Sequence, residues 1–97
     1  MINAKEEFVS DVLTRGTIEC AELEFGDKTL VLKCNYTPEE LELFLNQLDF
    51  SYDEDYGGQY LDGTVWMVDD GAWFTRGEYD GSEWWEFNIR PAIPSFV

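Results

Sequence analysis

The sequence predicts an α+β domain in which two helices accompany an antiparallel sheet of about five strands, in the order αββαβββ. Three observations support this fold class. Two segments carry apolar residues at helical spacing, five segments have the composition and alternation of strands, and Gly-containing pairs separate neighbouring strands. Because the chain has 97 residues, 44% of them hydrophobic, it is expected to form one domain over residues 1–97.

The first three elements follow from capping and alternation. Asn3 can cap a first helix that Gly16 ends. Residues 17–25 and 28–36 are expected to form a hairpin about Gly26. Apolar residues change parity within the first of these strands, which predicts a β-bulge near position 20.

The bulge would bring the two cysteines of the chain, Cys20 and Cys34, roughly opposite each other. They do not have the spacing of metal ligands, and the chain has no His to assist them. We interpret them as two small, buried, reduced thiols, with a disulfide as the alternative.

The second helix has a strong start signal. Thr37 is a good N-cap, Pro38 suits the first helical position, and acidic residues follow where the helix dipole favours them. Apolar residues at helical spacing then continue to Leu48 and are expected to pack on the sheet. Residues 49–63 are predicted to form an acidic, tyrosine-bearing loop, and loops of this length are often functional or mobile.

The remaining strands form a predicted meander. They span residues 64–68, 72–79 and 82–89, with Asp-Gly pairs at 70–71 and 80–81 between them and an extended tail at 90–97. Asp-Gly pairs favour two-residue type I′ turns, which define the register of the strands. Met67 should then face Phe74, and Val65 should face Arg76.

This register assigns the side chains to two faces. The core face is predicted to carry Val65, Met67, Ala72, Phe74, Trp85, Phe87 and Ile89. The second face carries Trp66, Trp73 and Trp84, three of the four tryptophans, together with Tyr79. The two neighbours Trp84 and Trp85 thus point to opposite sides of the sheet.

The second face is expected to be covered, because each aromatic side chain can bury about 150–250 Å² and monomers rarely expose so large an apolar patch. Three alternatives remain open. In the first, part of the same chain folds across the face: the first helix, the acidic loop or the tail. In the second, another copy of the chain covers it in a homodimer. In the third, a partner protein binds there. Trp and Tyr frequently carry the binding energy of protein interfaces, which supports the last alternative.

The charge distribution indicates the class of partner. Twenty-one acidic and six basic residues give a net charge of −15, so nucleic acids and anionic membranes should repel the chain. A protein partner with a basic surface is expected instead. Between Lys33 and Arg76 the sequence has no Lys or Arg. A surface that serves solubility alone usually intersperses both signs, although solubility remains an alternative explanation.

Catalytic chemistry is not expected. The chain has no His to act as general base, no Ser or Cys in a nucleophile motif, and no Gly-rich phosphate loop. The run Asp53, Glu54 and Asp55 lacks the alternating ligand spacing of a calcium loop. We therefore predict no enzymatic activity, no cofactor and no metal. No apolar segment of signal-peptide or membrane-spanning length is present, which favours a cytoplasmic protein.

The C-terminal third, VWMVDDGAWFTRGEYDGSEWWEFNIRPAIPSF, resembles small acidic proteins that bacteriophages and other mobile elements encode. The resemblance lies in its aromatic and Asp-Gly-Ser content. Some small acidic proteins of that origin are anti-restriction or anti-CRISPR inhibitors, including mimics of DNA. The resemblance implies an inhibitor that works in the cytoplasm of a host cell, and it assigns a role to no individual residue.

The predicted function is therefore a non-catalytic acidic binding protein that occupies the basic site of a nucleic-acid-handling protein. The alternatives are an immunity protein that neutralises a cognate toxin, or a self-associating structural or assembly protein. The residues predicted to bind the partner are the acids Asp53, Glu54, Asp55, Asp62, Asp69 and Asp70 and the aromatic anchors Trp66, Trp73, Tyr79 and Trp84.

Overall fold

The computed structural model of the chain describes residues 1–52, 59–69, 71–79, 82–91 and 95. Within this part of the chain a five-stranded antiparallel sheet has the strand order β3-β2-β5-β6-β7. These strands are β2 (Ile18–Phe25), β3 (Lys28–Leu32), β5 (Leu61–Met67), β6 (Ala72–Tyr79) and β7 (Ser82–Ile89). A small second sheet pairs β1 (Ile2–Asn3) with β4 (Ser51–Tyr52). The α+β prediction is confirmed; the small sheet was not predicted, because two-residue strands have no periodicity to detect.

Both helices begin at caps that the sequence predicts. Helix α1 (Ala4–Phe8) starts after Asn3, whose side chain accepts a hydrogen bond from the Glu6 N–H at 3.0 Å. It continues as one π-helical stretch, Val9–Leu13. Helix α2 (Pro38–Gln47) has a complete capping box, in which Thr37 and Glu40 each accept a hydrogen bond from the other's backbone N–H.

Both helices pack on the same side of the sheet, which we call the inner face. The hydrophobic core joins helix residues such as Phe8 and Phe44 to inner-face residues such as Phe74 and Trp85. Phe8 makes edge-on contacts with Phe44 at 5.6 Å and with Trp85 at 5.5 Å between ring centroids. Trp85 therefore belongs to the core, as predicted.

The predicted register is right at two places and wrong at one. The bulge in β2 is present, because the pairing of β2 with β5 shifts between Ile18 and Cys20. Between β6 and β7, Arg76 pairs with Trp85 as predicted. Between β5 and β6, however, Val65 pairs with Phe74, so the register differs by two residues from the prediction that Met67 faces Phe74. The turn is longer than two residues, and a shift of two leaves every side chain on its predicted face.

Two residues predicted for the core are instead exposed. Phe87 is 37% exposed and Ile89 is 63% exposed. They lie at the end of β7, an edge strand of the sheet, beyond the area that the helices cover. Phe87 still packs on Phe74, with 5.2 Å between ring centroids, and the Arg15 guanidinium lies 4.4 Å above its ring. The alternation of apolar residues in β7 predicted the correct face for these two residues. It did not predict how far along the strand the helices cover that face.

Two element boundaries and the burial of the cysteines also differ from prediction. The predicted loop 49–63 contains β4 and the first residues of β5, so Asp62 lies in a strand. Strand β3 ends at Leu32, because the chain turns through Asn35, which has a φ of 64°. Cys34 is exposed and Cys20 only half-buried, so the prediction of two buried thiols is wrong. Residues 53–58 of the predicted loop and most of the predicted tail lie outside the described residues.

Candidate functional site

The side of the sheet away from the helices, which we call the outer face, is the candidate binding surface. Neither helix lies on it, which removes the first helix from the predicted coverings. The acidic loop and the tail are the other two predicted coverings; residues 53–58 of the loop and residues 92–94, 96 and 97 of the tail lie outside the described residues. The outer face carries these side chains: Cys20, Glu22 and Glu24 from β2, Asp62, Thr64 and Trp66 from β5, Trp73, Thr75 and Tyr79 from β6, and Trp84, Glu86 and Asn88 from β7.

A pair of tryptophans occupies the centre of one row across the outer face. Trp66 on β5 is directly opposite Trp73 on β6. Cys20 and Asn88 continue the row on the outer sides of this pair. Trp66 remains 43% exposed and Trp73 is half-buried. Directly opposite aromatic residues can stabilise a sheet, and here they place two partly exposed indoles side by side on adjacent strands.

The third tryptophan of the face lies against a glycine. Trp84 is the cross-strand partner of Gly77, and a Cβ built at Gly77 would be 2.5 Å from Trp84 Nε1 and 2.7 Å from Cζ2. The indole therefore rests on the backbone of β6 and stays 39% exposed. Tyr79, the last residue of that strand, is 76% exposed. One side of the Trp84 ring therefore covers the backbone of β6, and the other side faces solvent.

Three carboxylates adjoin Trp66. Glu22, Glu24 and Asp62 line a hollow of about 220 Å³, together with Gly63, Thr64 and Trp66. Asp62 accepts hydrogen bonds from the Gly63 N–H at 2.8 Å and from Gln59 Nε2 at 3.4 Å. Glu86 lies opposite Thr75, on the other side of the face.

The strands β2, β5, β6 and β7 contain one basic residue, Arg76, and it points to the inner face. The outward positions of these four strands are therefore acidic, aromatic or neutral. Carboxylates beside an indole can bind a cationic side chain. The carboxylates attract its charge, and the indole ring adds a cation–π interaction.

The predicted binding residues divide into three groups. Asp62, Trp66, Trp73, Tyr79 and Trp84 come together on the outer face. Asp69 does not join them, because it lies in the turn after β5, where its carboxylate is near Gly16. The remaining four lie outside the described residues: Asp53, Glu54, Asp55 and Asp70.

Sequence reasoning did not select Glu22, Glu24 and Glu86 as binding residues. The signal was present in β2, where Glu22 and Glu24 alternate with the buried Ala21, Leu23 and Phe25. What the alternation did not reveal is that β2 and β5 are neighbours in the sheet, which brings their acids together beside Trp66.

The inner face contains a buried ionic network centred on Arg76. Its guanidinium binds Glu83 Oε1 at 2.8 Å, Glu7 Oε1 at 2.9 Å and the Tyr52 hydroxyl at 3.0 Å, and it lies 4.9 Å from the Trp85 ring centroid. The side chains of Arg76 and Glu83 are completely buried. Glu83 further accepts hydrogen bonds from two backbone N–H groups at the start of β5.

Two groups of the network, Tyr52 and Arg76, have raised pKa values. Burial raises the pKa of the Tyr52 hydroxyl to about 12; the neighbouring Arg76 opposes this rise and Glu7 adds to it. Burial by itself would lower the pKa of Arg76, but its hydrogen bonds to Glu83 and Tyr52 and the charge of Glu7 outweigh burial and raise the pKa. The groups are bonded to one another, and they connect helix α1, strand β4 and strands β6 and β7. This arrangement is that of a structural ion cluster.

Metal binding has no structural basis in the described part of the chain, where no group of three or more His, Cys, Asp or Glu residues is arranged to hold an ion. No helix among the described residues is long and apolar enough to cross a membrane. The chain was compared with protein-family models, curated proteins and solved structures, and none of them matches it. The described residues therefore define a structural class: an α+β domain whose outer sheet face is acidic and aromatic and is covered by neither helix.

Proposed function

We propose that the chain is a non-catalytic acidic binding protein that docks its outer face onto a basic surface of a nucleic-acid-handling protein and inhibits it, acting in the cytoplasm of a host cell. The single observation that carries this proposal is the outer face itself. It presents three tryptophans flanked by carboxylates and, in strands β2, β5, β6 and β7, no outward-facing Lys or Arg.

The aromatic residues supply the first part of the argument. Interface hot spots are enriched in Trp and Tyr, and they lie in patches that lose their water on binding. Trp66 and Trp73 are cross-strand partners on two paired strands, and Trp84 is supported by Gly77. A surface that is already ordered loses little conformational entropy when a partner binds.

Charge supplies the second part of the argument, because it distinguishes a second copy of the chain from a basic partner protein as the molecule that binds the outer face. A second copy of the chain would bring another net charge of −15 and another set of outer-face carboxylates against the first. Like charges brought together at an interface cost several kcal/mol. A homodimer through this face is therefore disfavoured, and a partner with Lys and Arg is favoured. A basic site that normally holds duplex DNA, with one phosphate per about 1.7 Å of axis, has the required charge.

The experiment is affinity capture from a bacterial lysate with the immobilised chain, at low and at high salt. Duplex DNA is added as a competitor, and each captured protein is then purified and tested for inhibition. We expect recovery of a DNA-handling protein that DNA displaces and that the chain inhibits. Capture of a toxin would instead support the immunity alternative, and recovery of the chain alone at every salt concentration would contradict the proposal.

Matched variants make the capture specific to the outer face. Trp66→Ala removes an exposed indole from the face, whereas Leu43→Ala removes a 64% exposed side chain from α2. Loss of a hot-spot tryptophan costs about 2 kcal/mol or more of binding free energy, which is roughly a 30-fold loss of affinity at 1.4 kcal/mol per tenfold. We expect this loss for Trp66→Ala and not for Leu43→Ala.

A further inference from the structure

The two cysteines come together at one edge of the outer face. Cys20 lies at the bulge of β2, where it is the cross-strand partner of Trp66. Cys34 lies two residues after the end of β3, in a turn whose Asn35 adopts a left-handed φ of 64°. Neither position is part of the hydrophobic core.

A hydrogen bond holds this turn against the start of β2. The Tyr36 hydroxyl donates to the backbone carbonyl of Ile18 at 2.6 Å. Since Tyr36 follows Cys34 by two residues and Ile18 precedes Cys20 by two residues, this bond ties the two cysteine-bearing segments together. The β2–β3 ladder also holds these segments together, because Ala21, which follows Cys20, pairs with Leu32, which precedes Cys34 by two residues.

Cys34 influences the Cys20 thiol. Burial raises the pKa of the Cys20 thiol to about 11, and hydrogen bonding to Cys34 and the negative charge of Cys34 and Glu19 contribute to the rise. Both cysteines are free, with Cys20 half-buried and Cys34 exposed. An exposed thiol next to a second, less accessible thiol is the arrangement in which the first reacts with an oxidant in solution and the second then resolves the product.

We propose that Cys20 and Cys34 are a reversible dithiol–disulfide pair that low-molecular-weight disulfides such as oxidised glutathione convert to an intramolecular disulfide. In the first step the Cys34 thiolate attacks one sulfur of glutathione disulfide, forming a mixed disulfide and releasing one glutathione thiolate. In the second step Cys20 loses its proton to solvent and attacks the Cys34 sulfur, releasing the second glutathione. Two protein thiols are oxidised and one glutathione disulfide is reduced to two glutathione molecules.

Cys34 reacts first because it is the exposed member of the pair, whereas Cys20 is partly covered and its raised pKa keeps it protonated at neutral pH. The product closes a loop around the β2–β3 hairpin. Such a link restricts the unfolded chain and stabilises the folded one. It also connects the edge of the outer face to the segment that leads into α2, and it does so without any residue of the buried ionic network.

The test uses the purified 97-residue chain and oxidised glutathione, with intact mass measured after acid quenching. We expect the wild-type chain to lose two hydrogens and to retain no glutathione. Cys20→Ser should stop at a stable adduct with one glutathione, because no second thiol resolves it. Cys34→Ser should react several-fold more slowly than Cys20→Ser, because its remaining thiol is half-buried.

Thermal unfolding supplies an independent measurement. The oxidised wild-type chain should unfold several degrees above the reduced one, and a reducing agent should reverse the shift; neither single variant should show it. A wild-type chain that keeps glutathione on Cys34, or that forms only disulfides between chains, would overturn the proposal. No partner takes part in these measurements, so their outcome is independent of the proposed binding function.

Discussion

Trp84 rests its indole ring on the backbone of Gly77, its partner across β6 and β7, at a distance that leaves no room for a Cβ. Gly77 is not among the glycines with a positive φ, so its backbone conformation is open to other residues. The requirement for glycine comes from the tryptophan above it. The choice of glycine at position 77 is therefore coupled to the tryptophan at position 84 of the candidate binding face.

Gly77→Ala should displace the Trp84 indole and destabilise the fold by about 1–3 kcal/mol, the usual cost of overpacking. The measurement is a double-mutant cycle by denaturant unfolding with Gly77→Ala, Trp84→Ala and both together. Once the indole is gone, the alanine meets no obstacle, so the second substitution should cost much less in the Trp84→Ala background. Additive effects of the two substitutions would show that they are not coupled.

Gly63 lies where the backbone of β5 leaves no room for a side chain against β2. It has a φ of +149°, and a Cβ there would be 2.5 Å from the Glu22 carbonyl oxygen and 2.8 Å from Leu23 Cα. Gly63→Ala should therefore cost about 3 kcal/mol or more, from backbone strain and from separation of the two strands. The control is Gly26→Ala, whose φ is +59° with nothing within 4 Å, and which should cost only about 1–2 kcal/mol. Equal costs in thermal unfolding would contradict this account.

Arg76 forms ion pairs with two carboxylates inside the protein. Arg76→Met leaves Glu7 and Glu83 without a cationic partner, and breaking a buried ion pair in this way costs about 3–5 kcal/mol. Arg15→Met is the matched control, because its guanidinium lies over the exposed Phe87 ring, where a cation–π contact contributes about 0.5–1 kcal/mol. Denaturant unfolding should separate the two variants clearly, and the ion network is not structural if they are equally stable.

Tyr52 makes the fold sensitive to alkali. Its pKa is about 12 in the folded protein against 10.0 as the ordinary value, so the folded state keeps a proton that the unfolded state loses. The contribution is fully present below about pH 10, and the free energy of unfolding falls as pH rises toward about 12. Tyr52→Phe should be less stable at neutral pH and should lose less stability over this range. Cys20 adds a similar loss between about pH 9.0 and 11, so the comparison is made in a Cys20→Ser background.

The charge of the outer face can be measured without a partner. Exposed tryptophan fluorescence near carboxylates should be quenched more strongly by caesium ions than by iodide, and the difference should shrink at high salt. Replacing Glu22 and Glu24 by Gln should reduce the difference. Replacing Glu39 and Glu42 by Gln makes the same change of net charge on helix α2 and should reduce it less, because those residues lie on the other side of the sheet. Equal effects of the two pairs would mean that only net charge matters.

Local signals predicted most of the architecture. Thr37, Pro38 and Glu40 specify the start of α2 through side-chain and backbone hydrogen bonds within four residues, so the prediction and the structure agree. The change of parity in β2 predicted the bulge, because the side-chain period of a strand is two and cannot change without an extra residue. The same period assigned Trp84 and Trp85 to opposite faces.

Long-range contacts account for the differences. Arg76 falls at an inward position of β6, and no local pattern shows that Glu7, Tyr52 and Glu83 meet it there. Phe87 and Ile89 have the correct parity for the core, but the helices do not extend over them. The acids Glu22 and Glu24 were visible as exposed positions of a strand, whereas their position beside Asp62 and Trp66 depends on the pairing of β2 with β5.

The sequence alone therefore determined the fold class, the starts of the helices, the face of every strand residue in the meander and the acidic character of the surface. These properties depend on residues a few positions apart and on net composition. The tertiary structure decided which strands are neighbours, where the covering layer ends and which charges meet. Those outcomes depend on contacts between residues far apart in the chain, such as the 69 positions between Glu7 and Arg76, for which the linear pattern carries no signal.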